Sequence, residues 1–346
     1  MKTVSPGLSG RDLVPALSHL CFKDGKVTAY DDVVGIETPC LSEFGDLGLK
    51  GSLLINFLAA SRGKDVIFEE PTEDAVELKC GRARLKVPTL SSEDFVFEMP
   101  RDSAKELAVS DESFVEALRR CELSMGLDPG HPWRMGVTIE VTAKDEVAMY
   151  SSNNVAITRS TAQVKAGKKQ AKDVMVVPPR WVELVSQLAR QEGLTKIIYD
   201  DSEEAGWIVA CFGKATRLFA RLVAQGDVEK FKTSLDYALP EDASTYDIPK
   251  GFQGVLDRAL VVLETAPDKA ITIKVAAGKM RFSAGTAAAD YKDFCKSADH
   301  PEATIICSPA LLKKAVEVSG QIRIVSDVCV QMSGPRFDHV VSAIDG

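Results

Sequence analysis

Histidine is scarce in this 346-residue chain: four residues, His19, His131, His300 and His339, none beside a GxSxG or HExxH pattern. The usual signatures of a serine hydrolase and of a zinc protease are therefore missing. There is no GxxxxGK[ST] phosphate loop, and Gly278 and Gly285 do not make a GxGxxG. The eight cysteines (Cys21, Cys40, Cys80, Cys121, Cys211, Cys295, Cys307, Cys329) stand singly, with no CxxC pair and no His/Cys cluster at ligand spacing. They read as reduced, buried small apolar residues, and neither a metal nor a cofactor is expected. No apolar run approaches the roughly 18 to 20 residues that span a bilayer, and MKTVSPGLSG lacks a signal-peptide core. A cytoplasmic protein without a membrane partner is expected. Positive charge is not in excess either: 42 Lys/Arg against 50 Asp/Glu give a net charge of −8, which argues against a generic nucleic-acid binder.

What the chain does have is a repeated order of elements. With 45% apolar residues it is ordinary globular material, long enough for two or three domains. Five windows with helical periodicity, 50–64, 110–123, 178–192, 250–264 and 308–320, are each followed by about three or four short runs of strand character. AITIKVAAGKMRFSAG at 270–285 reads as a hairpin turned near Ala277-Gly278, and a strand pair turns at Lys144-Asp145. Each unit spans about 55 to 70 residues, too long for a solenoid repeat.

Charge is distributed unevenly over this pattern. The five windows hold 11 basic and 9 acidic residues, whereas the rest holds 31 and 41. In PPRWVELVSQLARQE, Trp181, Leu184, Val185 and Leu188 share one face, and Arg180, Glu183, Gln187 and Arg190 the other. Phe114, Ala117, Leu118 and Cys121 similarly oppose Arg119 and Arg120, and Leu311, Leu312, Ala315 and Val316 oppose Lys313 and Lys314. One such helix reads as a solvated face; it is the recurrence that suggests a common target.

The organisation, the segment TRLFARLVAQGDVEKFKTSLDYALP, read through the likeness as a strand with Thr216, Leu218, Arg221 and Leu222, a small-residue loop and a stretch ending in Leu239-Pro240, the strand-turn-strand pair LCFKDGKVTAYDD at 20–32, and the terminal DHVVSAIDG together resemble the bacterial-type DNA polymerase sliding clamp, the beta processivity subunit, cellular or phage-encoded. The likeness runs from about residue 12 to the end. It implies an α+β fold of three clamp domains, 1–107, 108–243 and 244–346, each with helices on a channel side and antiparallel sheets on the other. Two departures are visible. Only MKTVSPGLSGRD precedes the likeness, so the first domain's opening strand and helix are expected to be missing, and DLVPALSHL is read as a strand approach because Pro15 breaks a helix interior. The tail ends in Ser342, Ala343, Ile344, Asp345 and Gly346 instead of the family's apolar run.

The same resemblance implies a non-enzymatic, head-to-tail homodimeric ring around double-stranded DNA, which is gripped without sequence preference through phosphates. Lys50, Arg62, Lys64, Arg119, Arg120, Arg180, Arg190, Arg258, Lys313 and Lys314 are the residues expected to face DNA. It also implies a groove that takes short linear peptides from DNA polymerase, the clamp loader and other proteins with a clamp-binding motif. The matching positions are Trp133, Arg134, Ser152, Val155, Pro240, Val340, Ser342 and Ile344. Two alternatives remain open: a β-rich scaffold that encircles no DNA, and a Cys/His hydrolase assembled only in three dimensions.

Overall fold

A computed structural model describes residues 1–346 apart from 11–13, 41–44, 63–64, 70–71, 73, 96–103, 110–111, 127–129, 132–133, 144, 167–172, 201–205, 214, 224–226, 239–243, 267–268, 287, 298–299 and 345–346. Lys64, Trp133, Pro240 and Lys144, all singled out above, lie outside the described residues. The chain divides into two compact units. The first takes residues 1–115, 165–167 and 177–222, and the second 116–164, 168–176 and 223–346.

Helices form in all five expected windows: α1 at Gly51–Ala60, α2 at Ser113–Cys121, α3 at Pro179–Glu192, then, after one further helix, α5 at Phe252–Val262 and α6 at Pro309–Val316. That further helix is α4 at Val228–Ala238, inside a segment read from sequence as strand, loop and a stretch ending in Leu-Pro. The strand is present at Thr216–Arg221, but the stretch from Val228 onward is helical. Val228, Phe231 and Leu235 are its buried positions, and the N–H of Lys230 donates to Asp227 Oδ1 at 3.4 Å as an N-terminal cap. The α+β class holds, with antiparallel strand pairs in each sheet.

The first unit is built on a twelve-stranded sheet that brings residues far apart in sequence into register, Leu218 opposite Ile36 and Arg217 opposite Glu37. On α3, Trp181, Leu184, Val185 and Leu188 are buried, as the periodicity requires, and Trp181 Nε1–H donates to Leu218 O at 3.4 Å. The opening hairpin pairs His19–Lys23 with Lys26–Tyr30 through Asp24 and Gly25, at φ 50° and 69°, a left-handed pair that Asp-Gly tolerates at low steric cost. One expectation is corrected here. Pro15–Ser18 is not a strand approach but a short 3₁₀ turn, and His19 opens the strand. Pro15 forbids a helix interior, yet at the first position of a turn its fixed φ is pre-organised and its missing N–H costs nothing, while Val14 keeps the extended geometry expected before proline.

The second unit carries an eight-stranded and a four-stranded sheet. Phe252 and Leu256 of α5 and Leu312 and Ala315 of α6 pack with Ile273, Phe282, Ile305, Ile322 and Val330 in one core. The Ala277-Gly278 hairpin forms where expected, Ala276 opposite Lys279. In the larger sheet the strand Phe337–Ser342 lies beside Ala156–Gln163, Val340 opposite Ile157 and His339 opposite Thr158. His339 is fully buried and closes a chain of hydroxyls: Thr158 Oγ1 to its Nδ1 at 2.8 Å, Thr158 to Ser124 at 2.6 Å, Ser124 to Ser151 at 2.9 Å. Burial pushes the imidazole down to about 4, so it is neutral near pH 7.

Candidate peptide-binding site

The site arises from α4 lying on the larger sheet of the second unit. Phe231 stacks on Tyr150 with ring centroids 5.5 Å apart, and Val228, Leu235, Ala148, Cys329 and Val340 complete that cluster. Lys232 Nζ donates to Glu140 Oε1 at 2.9 Å, and the Tyr150 hydroxyl donates to Glu140 Oε2 at 3.3 Å, pinning the helix to the sheet. Burial, first, and then the Glu140 carboxylate push the Tyr150 phenol up to about 12.

Beside the helix the sheet is left open, and a cavity of about 450 Å³ remains. Strand register decides its floor: Ser152, Ile157 and Val340 stand side by side on one row, and Ser342 lies opposite Cys329. Phe231, Ser234, Tyr237 and Ala238 of α4 form the wall, with Arg134 and Asn154 at the margin. Arg134 is brought in by a close backbone approach. A Cβ at Gly126 would lie 2.5 Å from Ser152 O and 3.0 Å from Arg134 O, so only glycine fits there. Asn153 Oδ1 accepts the N–H groups of Val155 and Ala156, holding the turn in which Asn154 takes φ 76°. Among the described residues the lining contains Arg134 and Lys230 but no Asp or Glu, and Tyr237 is 83% exposed.

Of the eight expected groove positions, four line this recess: Arg134, Ser152, Val340 and Ser342. Two described ones do not. Val155 turns outward on its hairpin, its carbonyl accepting the N–H of Ser342, and Ile344 donates its N–H to Ile306 O at 2.8 Å, so the tail folds onto the strand Ala303–Cys307. The α4 wall was missed, although Asp227 and the Val228/Phe231/Leu235 spacing were legible as a helix signal.

The expected DNA-facing cations are not equivalent. Arg258 is bound twice to Asp293 Oδ2, at 2.8 and 2.6 Å, and Lys313 pairs with Asp257 at 2.6 Å. Arg120 donates to Glu116 and to Pro335 O and lies over the Phe337 ring at 5.4 Å. Arg119 faces Glu116 at 3.8 Å, Arg180 reaches Glu183 and Pro6 O, and Lys50 donates to Ser18 Oγ. Arg62, Arg190 and Lys314 have no ion-pair partner among the described residues. An evenly open field of charges is therefore not what the helices present, because carboxylates one turn away or on the adjoining strand neutralise several of them.

Hydrolytic chemistry finds no support in the buried thiols. Burial raises Cys121 and Cys307 to about 12 and Cys21, Cys295 and Cys329 to about 11, and the Cys329 thiol donates to Ala238 O at 3.3 Å. No group of three or more His, Cys, Asp or Glu among the described residues is arranged to hold a metal ion.

No protein-family model matches the sequence. The fold is nonetheless that of a DNA sliding clamp. More narrowly, it is the fold of the bacterial DNA polymerase III beta subunits. A putative DNA polymerase III beta subunit of Eubacterium rectale superposes with a TM-score of 0.84 at 17% identity, over 99% of this chain and 96% of its own. A DnaN sliding clamp of Pseudomonas aeruginosa bound to griselimycin gives 0.84 at 14% identity over 100% and 96%. A Helicobacter pylori beta clamp bound to a DNA ligase peptide gives 0.80 at 12% identity, again over 100% and 96%.

Proposed function

We infer that this chain is a DNA sliding clamp, a non-enzymatic processivity factor that closes into a head-to-tail homodimeric ring around duplex DNA and tethers DNA polymerase, the clamp loader and other partners by their linear peptides. Three domains, 1–107, 108–243 and 244–346, make up each protomer in this reading. The observation that carries it is the recess under α4, where four positions named from the sequence resemblance converge on one apolar floor with a polar margin, the form that peptide-in-groove recognition takes. A DNA ligase peptide bound to the Helicobacter pylori clamp of the same fold supports the same use here.

In this mechanism the chain performs no bond chemistry. Lys and Arg on the helix faces meet phosphates, which carry no sequence, so each contact is weak, exchangeable and compatible with sliding. The net charge of −8 repels DNA from the remaining surface. Topology is the discriminating test. The protein is incubated with nicked circular DNA and separated by gel filtration, and the DNA is then cut once. Co-elution with the circle and release on linearisation are expected, together with a solution mass twice the 37.4 kDa chain. Equal retention on circular and linear DNA, or a strict monomer at micromolar concentration, overturns the ring.

A further inference from the structure

On the sheet face that carries the α4 recess lies a second, smaller cavity of about 240 Å³, lined among others by Glu146, Arg159, Thr161, Arg336 and Asp338. Register relates the two. Ile157 lies opposite Val340, and two residues further along, Arg159 lies opposite Asp338. Side chains two apart on a strand share a face and stand about 6.8 Å from each other, so Arg159 adjoins Ile157 and Asp338 adjoins Val340.

The charges there are unequally satisfied. Asp338 Oδ1 accepts from Gln331 Nε2 at 2.9 Å, and Gln331 Oε1 in turn accepts from the buried Arg323 at 2.8 Å. The guanidinium groups of Arg159 and Arg336 have no hydrogen-bond or ion-pair partner among the described residues. The Arg336 backbone is fixed all the same, its carbonyl accepting from the N–H of Thr161 at 3.1 Å and the hydroxyl of Ser160 at 3.0 Å. A pinned backbone with a free planar fork, beside a second free fork, is suited to bidentate capture of a carboxylate.

We propose that Arg159 and Arg336 form a polar subsite that captures one acidic side chain of a partner segment whose apolar residues fill the α4 recess; this rests on reading that recess as a peptide site. An extended segment advances about 6.8 Å every two residues, which places the acid two to four residues from the apolar anchor. Glu146 and Asp338 in the same lining disfavour a second adjacent acid, so a single carboxylate is selected over an acidic run.

Fluorescein-labelled peptides carrying a Leu-Phe anchor, with Glu, Ala or Lys two or four residues to either side, test this by fluorescence anisotropy. At low salt a Glu peptide binds the parent about fivefold tighter than its Ala counterpart, an advantage lost at high salt. Arg159→Gln and Arg336→Gln each reduce that advantage while leaving the Ala peptide unchanged; both side chains are exposed, and thermal melts matching the parent show that the variants fold. Ser342→Arg, which fills the recess, abolishes binding of both peptides. Equal binding of Glu and Ala peptides at every position, or an advantage that survives both arginine variants, overturns the polar subsite alone. No binding by any peptide, or Ala-peptide binding untouched by Ser342→Arg, overturns the recess reading and the subsite with it.

Discussion

Replacing Arg62, Arg190 and Lys314 together with Gln probes the DNA-facing assignment where the structure leaves charge free. None of the three has an ion-pair partner among the described residues, whereas Arg258 and Lys313 are each held by an aspartate at 2.6 Å. A cation that is already paired must loosen that pair before it meets a phosphate, so it contributes less to DNA binding. Each phosphate contact truly lost lowers the log-log salt slope by about 0.9, which makes the triple change worth up to about 2.7 per chain. Over a fourfold rise in salt that is roughly a fortyfold difference in relative retention. Arg258→Gln with Lys313→Gln is expected to move the slope less. Folding should be nearly unaffected, since exposed charges contribute about 0 to 1 kcal/mol each. The assay is the fraction of protein retained on nicked circular DNA against salt. Superimposable curves for the parent and the triple variant refute a DNA-facing role, and a larger loss from the paired set than from the free set refutes the reasoning about pairing.

His339 carries a pH signature. Its folded value of about 4 lies below the ordinary 6.5, so the unfolded chain binds the proton first, and stability is full above about pH 6.5 and falls towards pH 4. About 2 kcal/mol of this is lost between pH 7 and pH 5, and urea unfolding of His339→Gln should lack that increment; equal losses in parent and variant disprove it. Phe231 is fully buried against Tyr150, so Phe231→Ala should cost about 3 to 5 kcal/mol and lower amide protection in 228–238, and an unchanged melt would show that α4 docks by other contacts. Val261 on α5 is 74% exposed and Phe294, on the edge strand Asp290–Lys296, 55% exposed. If these cover a second protomer, Val261→Asp with Phe294→Ser should shift sedimentation from dimer to monomer without lowering helicity, and an unaltered dimer would place the interface elsewhere.

Local periodicity and turn chemistry determined much of this chain directly. The five helix windows stood out because an apolar face every 3.6 residues is a property of neighbouring positions, visible without a partner, as at Trp181, Leu184, Val185 and Leu188. Ala277-Gly278 marked a hairpin for the same reason, whereas the turn at Asp24-Gly25 was read through the resemblance. Helix α4 carried its own local signal in Asp227, Val228, Phe231 and Leu235, obscured when the segment was read through its resemblance to a strand and loop. The recess was different. Ser152, Ile157 and Val340 meet only because strands about 180 residues apart in sequence pair in one register, and a slip of one residue would turn Val340 to the opposite face. The fate of the charges was likewise a tertiary matter. Arg190 and Arg258 look alike in sequence, but only the fold sets Asp293 beside Arg258, because ion pairing depends on distances of a few ångströms between strands and helices whose spacing along the chain says nothing about their contact.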